Sequence, residues 1–266
     1  MREDSVVKYE TLMTRRDGHV QIIGLNRPDK RNAFNAAMLR DLAAAYGEFD
    51  ADDSLRAAVL YGEGPMFTAG LDLANVAGDI ANNVSHVPDG GINPWQVDGQ
   101  QLSKPVVTAV HGKVLTLGIE LMLAGDIAIA AESATFAQLE IARGIYPFGG
   151  ATIRFPRAAG WGNAMRWILT ADTFDAREAH RIGIVQEVVP DGEQLPRAVE
   201  IAHTIARQAP LGVQATLRSA RQAVRDGDAA AEADLVPEVQ KLFASEDAAI
   251  GVQAFLARST AEFVGR

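Results

Sequence analysis

Apolar positions fall first into short unbroken runs separated by polar turns, and then, beyond residue 150, into helical periods. Val20–Leu25 (VQIIGL), residues 56–62 (RAAVLYG), residues 105–110 (PVVTAV) and Ile127–Ala131 have the length and continuity of buried strands, and residues 184–189 (IVQEVV) read as a further strand. Between the first two, Phe34, Met38, Leu42, Tyr46 and Phe49 recur at helical spacing, with Asn32 or Asn35 as the candidate cap. A strand, a helix and a strand in that order predict a right-handed crossover and parallel pairing. Residues 62–73 (GEGPMFTAGLDL) read as a glycine-rich turn leading to a helix start at Asp72. Gly, Pro, Asn and Asp scattered through residues 77–103 predict a long loop or lid with room for one short helix.

After Gly149 and Gly150 the pattern becomes mainly helical. Asp175 and Glu178 have capping-box spacing ahead of a helix that Gly183 would stop. From Glu193 onward only helices are predicted: one to about residue 208, one after Pro210 to about Arg225, and one or two more. Residues 1–200 are read as the core and residues 201–266 as a helical region that docks on it or on another subunit.

The composition narrows the function classes. With 48% hydrophobic and 22% charged residues, a packed core is expected and general disorder is not. A net charge of −9 disfavours nucleic acid, which demands concentrated Lys and Arg. The absence of cysteine removes disulfide and thiolate chemistry. No apolar signal core opens the chain and no stretch approaches a membrane span, so no membrane partner is expected and a cytoplasmic location is.

Two carboxylates stand out against this background. Glu120 is the only charged residue between Val114 and Gly125, in an apolar run read as helical, where an ionised acid without a partner is costly. Glu140 follows 20 residues later, where an apolar segment gives way to a glycine-rich turn. Burial raises a carboxyl group toward working pH, so a pair of this kind suits general acid–base work. Unpaired N–H groups at helix starts would meet developing negative charge, and the turns at 70–72 and 116–118 are two candidates. The plainer readings are a buried Glu120 satisfied by an arginine, a structural or solvated Glu140, and Asp72 as a helix cap. The five histidines are dispersed without zinc spacing, and no nucleophile elbow, P-loop or dinucleotide fingerprint occurs.

Across residues 25–35 (LNRPDKRNAFN), 64–73 (GPMFTAGLDL), 109–154 and 169–189, nearly the whole chain resembles the crotonase family, the enoyl-CoA hydratases and isomerases. The resemblance implies an α/β spiral of strand-strand-helix repeats with two roughly perpendicular sheets. A C-terminal helical region over residues 201–266 would build a homotrimer or a dimer of trimers. It further implies an acyl-CoA thioester substrate, with coenzyme A entering as part of the substrate and no separate cofactor or metal. Glu120 and Glu140 match the family's catalytic acids, and the backbone N–H groups of Leu71 and Leu117 match its oxyanion hole. Arg27, Lys30 and Arg258 are the expected coenzyme A contacts, and Ala69, Asp72, Trp95 and Phe148 the expected substrate contacts.

This sequence departs from the hydratases at four places. Thr116 and Leu117 stand in a glycine run, and Phe148 takes the place of a glycine beside the water site. Ala74 replaces a lysine, and Ala257, Arg258, Ser259 and Thr260 replace a Lys-Arg-Pro element. Hydration of an enoyl-CoA is the expected reaction. The alternatives are double-bond isomerisation or other thioester-enolate chemistry on the same scaffold, and a paralogue that binds acyl-CoA without catalysis.

Overall fold

The computed structural model describes residues 9–266. A six-stranded sheet is built, in spatial order, from β1 (Leu12–Asp17), β2 (Val20–Leu25), β3 (Ala57–Gly62), β4 (Val106–Val110), β6 (Ile127–Ala131) and β9 (Glu187–Val189). All neighbours pair in parallel except β1 with β2. The sequence pattern did not predict β1: it is an edge strand, its LMTRRD side chains are mostly solvated, and no apolar run marks it. A second sheet holds β5 (Lys113–Leu115), β7 (Thr135–Ala137) and β8 (Phe174–Asp175).

The helices are α1 (Ala36–Ala51), α2 (Leu73–Ala81), α3 (Leu117–Ala124), α4 (Ala151–Ala159), α5 (Trp161–Thr170), α6 (Ala176–Arg181), α7 (Gln194–Ala206), α8 (Pro210–Asp226), α9 (Asp228–Phe243) and α10 (Glu246–Ala257). Asn35 caps α1 by accepting from Met38 N–H, and Asp175 caps α6 by accepting from Glu178 N–H, as their sequence spacing predicts. The apolar run at 114–125 is not one helix: Val114 and Leu115 lie in β5, and helix begins only at Leu117. An apolar run buried on all sides has no period that separates strand from helix.

These elements repeat as a spiral. Each turn places a strand in the large sheet, then a short extended segment, then a helix: β3, residues 68–71 and α2; then β4, β5 and α3; then β6 and β7. Parallel bridges from Phe34 to Leu71 and from Thr68 to Val114 stack successive extended segments, and the pairing of β5 with β7 continues the stack. Leu71 and Leu117 therefore hold equivalent places in consecutive turns, each at the entry to a helix.

The large sheet is covered on both faces, which explains the unbroken apolar runs of its four inner strands β2, β3, β4 and β6. Ile23, Leu25, Ala58, Leu60, Val106 and Ala128 face one core, with Met38 and Leu42 of α1 and Leu121 of α3. Val20, Ile22, Val59, Val107 and Ile129 face the other, against Ala198, Ala202 and Ala206 of α7. The division at residue 200 thus falls inside a core helix, and the helices that extend from the core begin with α8. Arg221 ties α8 back through an ion pair with Asp126 at 2.8 Å.

Candidate active site

Glu120 is the fourth residue of α3, a helix buried everywhere except at Leu123. Its side chain is 0% exposed. Oε1 accepts from the N–H of Ala151 at 2.9 Å, the first residue of α4, where the positive end of the helix dipole favours an anion. Oε2 is buried without a hydrogen-bond partner among the described residues. Glu140 follows β7 and opens a single 3-10 turn. It is 5% exposed, Oε1 accepts from Gln138 Nε2 at 3.0 Å, and Oε2 is likewise buried and unpartnered. Buried polar atoms are almost always paired, so two orphaned carboxylate oxygens require an explanation beyond packing.

Burial pushes both groups above the ordinary carboxylate range. Glu140 is raised to about 7, and the neighbouring charge of Glu120 adds to the effect of burial. Glu120 is also raised by burial, but the peptide groups of Ala151, Gly149 and Gly150 and the Arg154 guanidinium oppose the rise. The environments therefore split the pair: the Glu120 carboxylate is the better supported, and Glu140 is the better held in its neutral form.

Peptide N–H groups complete the arrangement. Thr68 N–H donates to Lys113 O, Ala69 N–H to Arg31 O, Gly70 N–H to Thr68 Oγ1 and Asp72 N–H to Phe34 O, while Leu71 N–H has no acceptor among the described residues. Leu117 is the first residue of α3, whose N–H has no intrahelical acceptor; Thr116 N–H before it is committed to Ala137 O.

Ala69, Leu71, Leu117, Glu140 and Phe148 line one cavity of about 110 Å³, together with Leu73, Thr116, Arg143 and Ile145. Glu120 is not among the lining residues. A methyl group built on Gly149, next to Phe148, would lie 2.8 Å from both Glu120 Oε2 and Leu117 Cδ1. Phe148 is 40% exposed, so its ring is a partly free part of the wall.

Other predicted residues lie elsewhere. Trp95 is a core residue rather than a cavity residue: it packs edge-on against Phe34 and donates from Nε1 to Leu117 O at 3.0 Å. Asp72 precedes α2 without a side-chain cap bond and pairs with Arg27 at 3.6 Å. Lys30 is exposed and makes no ion pair among the described residues. Arg258 closes α10 in the left-handed conformation. The C-terminal segment is held at the far end of the large sheet, where Arg56, just before β3, donates to Phe263 O at 2.7 Å.

Sequence reasoning missed Gln138, Ala151 and Arg154. Arg154 donates to Trp95 O at 2.7 Å, Gln96 O at 3.1 Å and Gly149 O at 3.2 Å. It thereby joins the loop before β4 to the turn that supports Glu120. Its position one helical turn into α4, in an element otherwise read by its glycines, gave no sequence signal.

The chain thus forms a spiral of strand, extended segment and helix closed by further helices, with two buried carboxylates that each keep one unpartnered oxygen. The enoyl-CoA hydratase/isomerase family model matches residues 15–266. The crystal structure of a probable enoyl-CoA hydratase/isomerase from Mycobacterium abscessus superposes with a TM-score of 0.96 at 74% identity, covering 97% of this chain and 100% of that one. A probable enoyl-CoA hydratase of Rhizobium meliloti is 38% identical, covering 98% of this chain and 100% of its own length. The 2,3-dehydroadipyl-CoA hydratase of Escherichia coli is 35% identical over 96% of this chain and 99% of its own. The chain belongs to the enoyl-CoA hydratase/isomerase family.

Among the described residues no group of three or more His, Asp or Glu side chains could hold a metal ion. No helix there is long and apolar enough to cross a membrane.

Proposed function

We propose that this enzyme adds water across the α,β double bond of an enoyl-CoA thioester. The observation that carries the reading is the pair of buried, unpartnered oxygens on Glu120 and Glu140. Glu120, supported by Ala151 N–H, takes a proton from water as the oxygen bonds to the β carbon. The thioester carbonyl becomes an enolate held by Leu71 and Leu117 N–H groups. Glu140, neutral up to about pH 7, returns a proton to the α carbon. One water is consumed, and proton exchange between the two acids restores the starting state.

Lys30, exposed and unpaired, is the better candidate for a coenzyme A phosphate, since Arg27 is engaged with Asp72 and Ala33 O. Leu235, Val236, Phe243, Phe255 and Leu256 on α9 and α10 are all more than half exposed. That apolar surface supports self-association into a trimer or a dimer of trimers through the C-terminal helices.

Isomerisation through the same enolate is the second reading, favoured by one observation: Phe148 lines the cavity and Glu120 does not. Purified protein incubated with a panel of enoyl-CoA thioesters in ¹⁸O-labelled water separates the two. Label in a 3-hydroxyacyl-CoA product supports hydration. A shifted double bond without label supports isomerisation, and no turnover on any acyl group overturns both.

A further inference from the structure

Thr116 is held in a conformation that its side chain disfavours. Its φ of 52° and ψ of −119° lie in territory suited to glycine, and a β-branched residue there is an outlier. It is 8% exposed and sits between β5 and α3, directly before Leu117. Its hydroxyl reaches the other turn: a Cβ built on Gly70 would come within 1.8 Å of Thr116 Oγ1. The hydroxyl thus lies between the residues that precede the two free N–H groups, those of Leu71 and Leu117.

The neighbouring hydroxyls behave differently. Thr68 Oγ1 is consumed by Asn32 O at 2.7 Å and Gly70 N–H at 3.0 Å. Thr108 Oγ1 is unpartnered but sealed in the core. Thr116 lines the cavity, and its hydroxyl, unlike that of Thr108, is not a sealed core atom; among the described residues it makes no hydrogen bond. Persistent strain at a cavity wall is the pattern expected where a side chain is kept for what it presents.

We propose that the Thr116 hydroxyl is a third hydrogen-bond donor to the thioester carbonyl oxygen, beside the N–H groups of Leu71 and Leu117. The proton stays on the hydroxyl; the group stabilises charge and transfers nothing. The inference rests on the enolate chemistry proposed above. A purely structural role would make Thr116 a filler of the space over Gly70, for which valine would serve as well as threonine.

The test compares Thr116→Ser, Thr116→Val and Thr116→Gly with the wild type in two assays. One measures kcat and KM on the enoyl-CoA turned over fastest. The other titrates bound acetoacetyl-CoA to its enolate, followed by ultraviolet absorbance, which reports carbonyl-oxygen stabilisation without turnover. Thr116→Gly also removes the cost of the positive φ, so it folds if the wild type does.

Thr116→Ser should stay within about threefold of wild type, while Thr116→Val and Thr116→Gly should lose about tenfold to a hundredfold in kcat with little change in KM. In the latter two, the bound probe should form its enolate at higher pH. Wild-type kcat and enolate titration in Thr116→Val or Thr116→Gly would overturn the inference alone, as would a loss in Thr116→Ser equal to that in Thr116→Val. A wild type that hydrates nothing while the enolate titration still tracks the hydroxyl would instead overturn the hydration reading and leave this one standing.

Discussion

Gly149→Ala tests the site without changing any charged or polar group. The added methyl would lie 2.8 Å from Glu120 Oε2, 2.8 Å from Leu117 Cδ1 and 2.9 Å from Trp95 Cδ1, where ordinary contact begins at 3.4 Å. Something must move by 3.4 − 2.8 = 0.6 Å. Trp95 is pinned by its bond to Leu117 O and by Arg154 on its own carbonyl, and Glu120 is pinned by Ala151 N–H. The strain therefore falls on the carboxylate or on the turn that supports it.

Overpacking of this kind costs about 1–3 kcal/mol. In a domain of this size that lowers the melting temperature by about 2–10 °C. A catalytic group displaced by a fraction of an ångström should cost on the order of tenfold in kcat. Gly162→Ala is the control: nothing lies within 4 Å of its Cβ position, and it sits inside α5, where alanine is favoured. Thermal melts and steady-state kinetics on both variants decide the matter. A Gly149→Ala enzyme with the melting temperature and kcat of Gly162→Ala would refute the packing of this turn on Glu120.

Two further predictions use the same assays. Glu140 is raised from 4.5 to about 7, so the native state binds a proton that the unfolded chain releases between those values. Its contribution to stability is complete below pH 4.5 and is lost as pH rises to about 7, and kcat/KM should fall as pH passes 7 and the acid form disappears. Urea midpoints across that range should show the slope in wild type and a shallower one in Glu140→Gln; equal slopes count against it. Arg154→Met strands three backbone carbonyls and should cost about 2–4 kcal/mol together with activity, with Arg154→Lys restoring the charge but not the fork. Melting temperatures of the two variants check this, and a wild-type value for Arg154→Met would contradict it.

Much of the framework was legible in the sequence because continuous apolar runs can only be strands buried on both faces or buried helices. The runs at β2, β3, β4 and β6 matched in place. β5 and β7 were missed because three-residue strands leave no pattern, and β5 was absorbed into the apolar run of α3. Glu120 was legible because a charge in such a run has no solvated face to occupy. Its supports were not: Ala151 contributes a backbone N–H, which any residue has, and Gln138 and Arg154 act across distances that the spiral closes. Trp95 was predicted to meet substrate, yet its ring is consumed by Phe34 and Leu117 O inside the core. Composition cannot separate an aromatic wall from an aromatic core.

Turnover of an enoyl-CoA by Glu120→Gln and Glu140→Gln tests the central claim most directly. Glutamine keeps the volume and one hydrogen-bond acceptor of each side chain but cannot exchange a proton at working pH. Each variant should fold with the wild-type circular dichroism spectrum, bind the thioester, and lose on the order of 10²–10⁴ in kcat, the range for removal of a general acid or base. Wild-type kcat in either variant would contradict the acid–base pair.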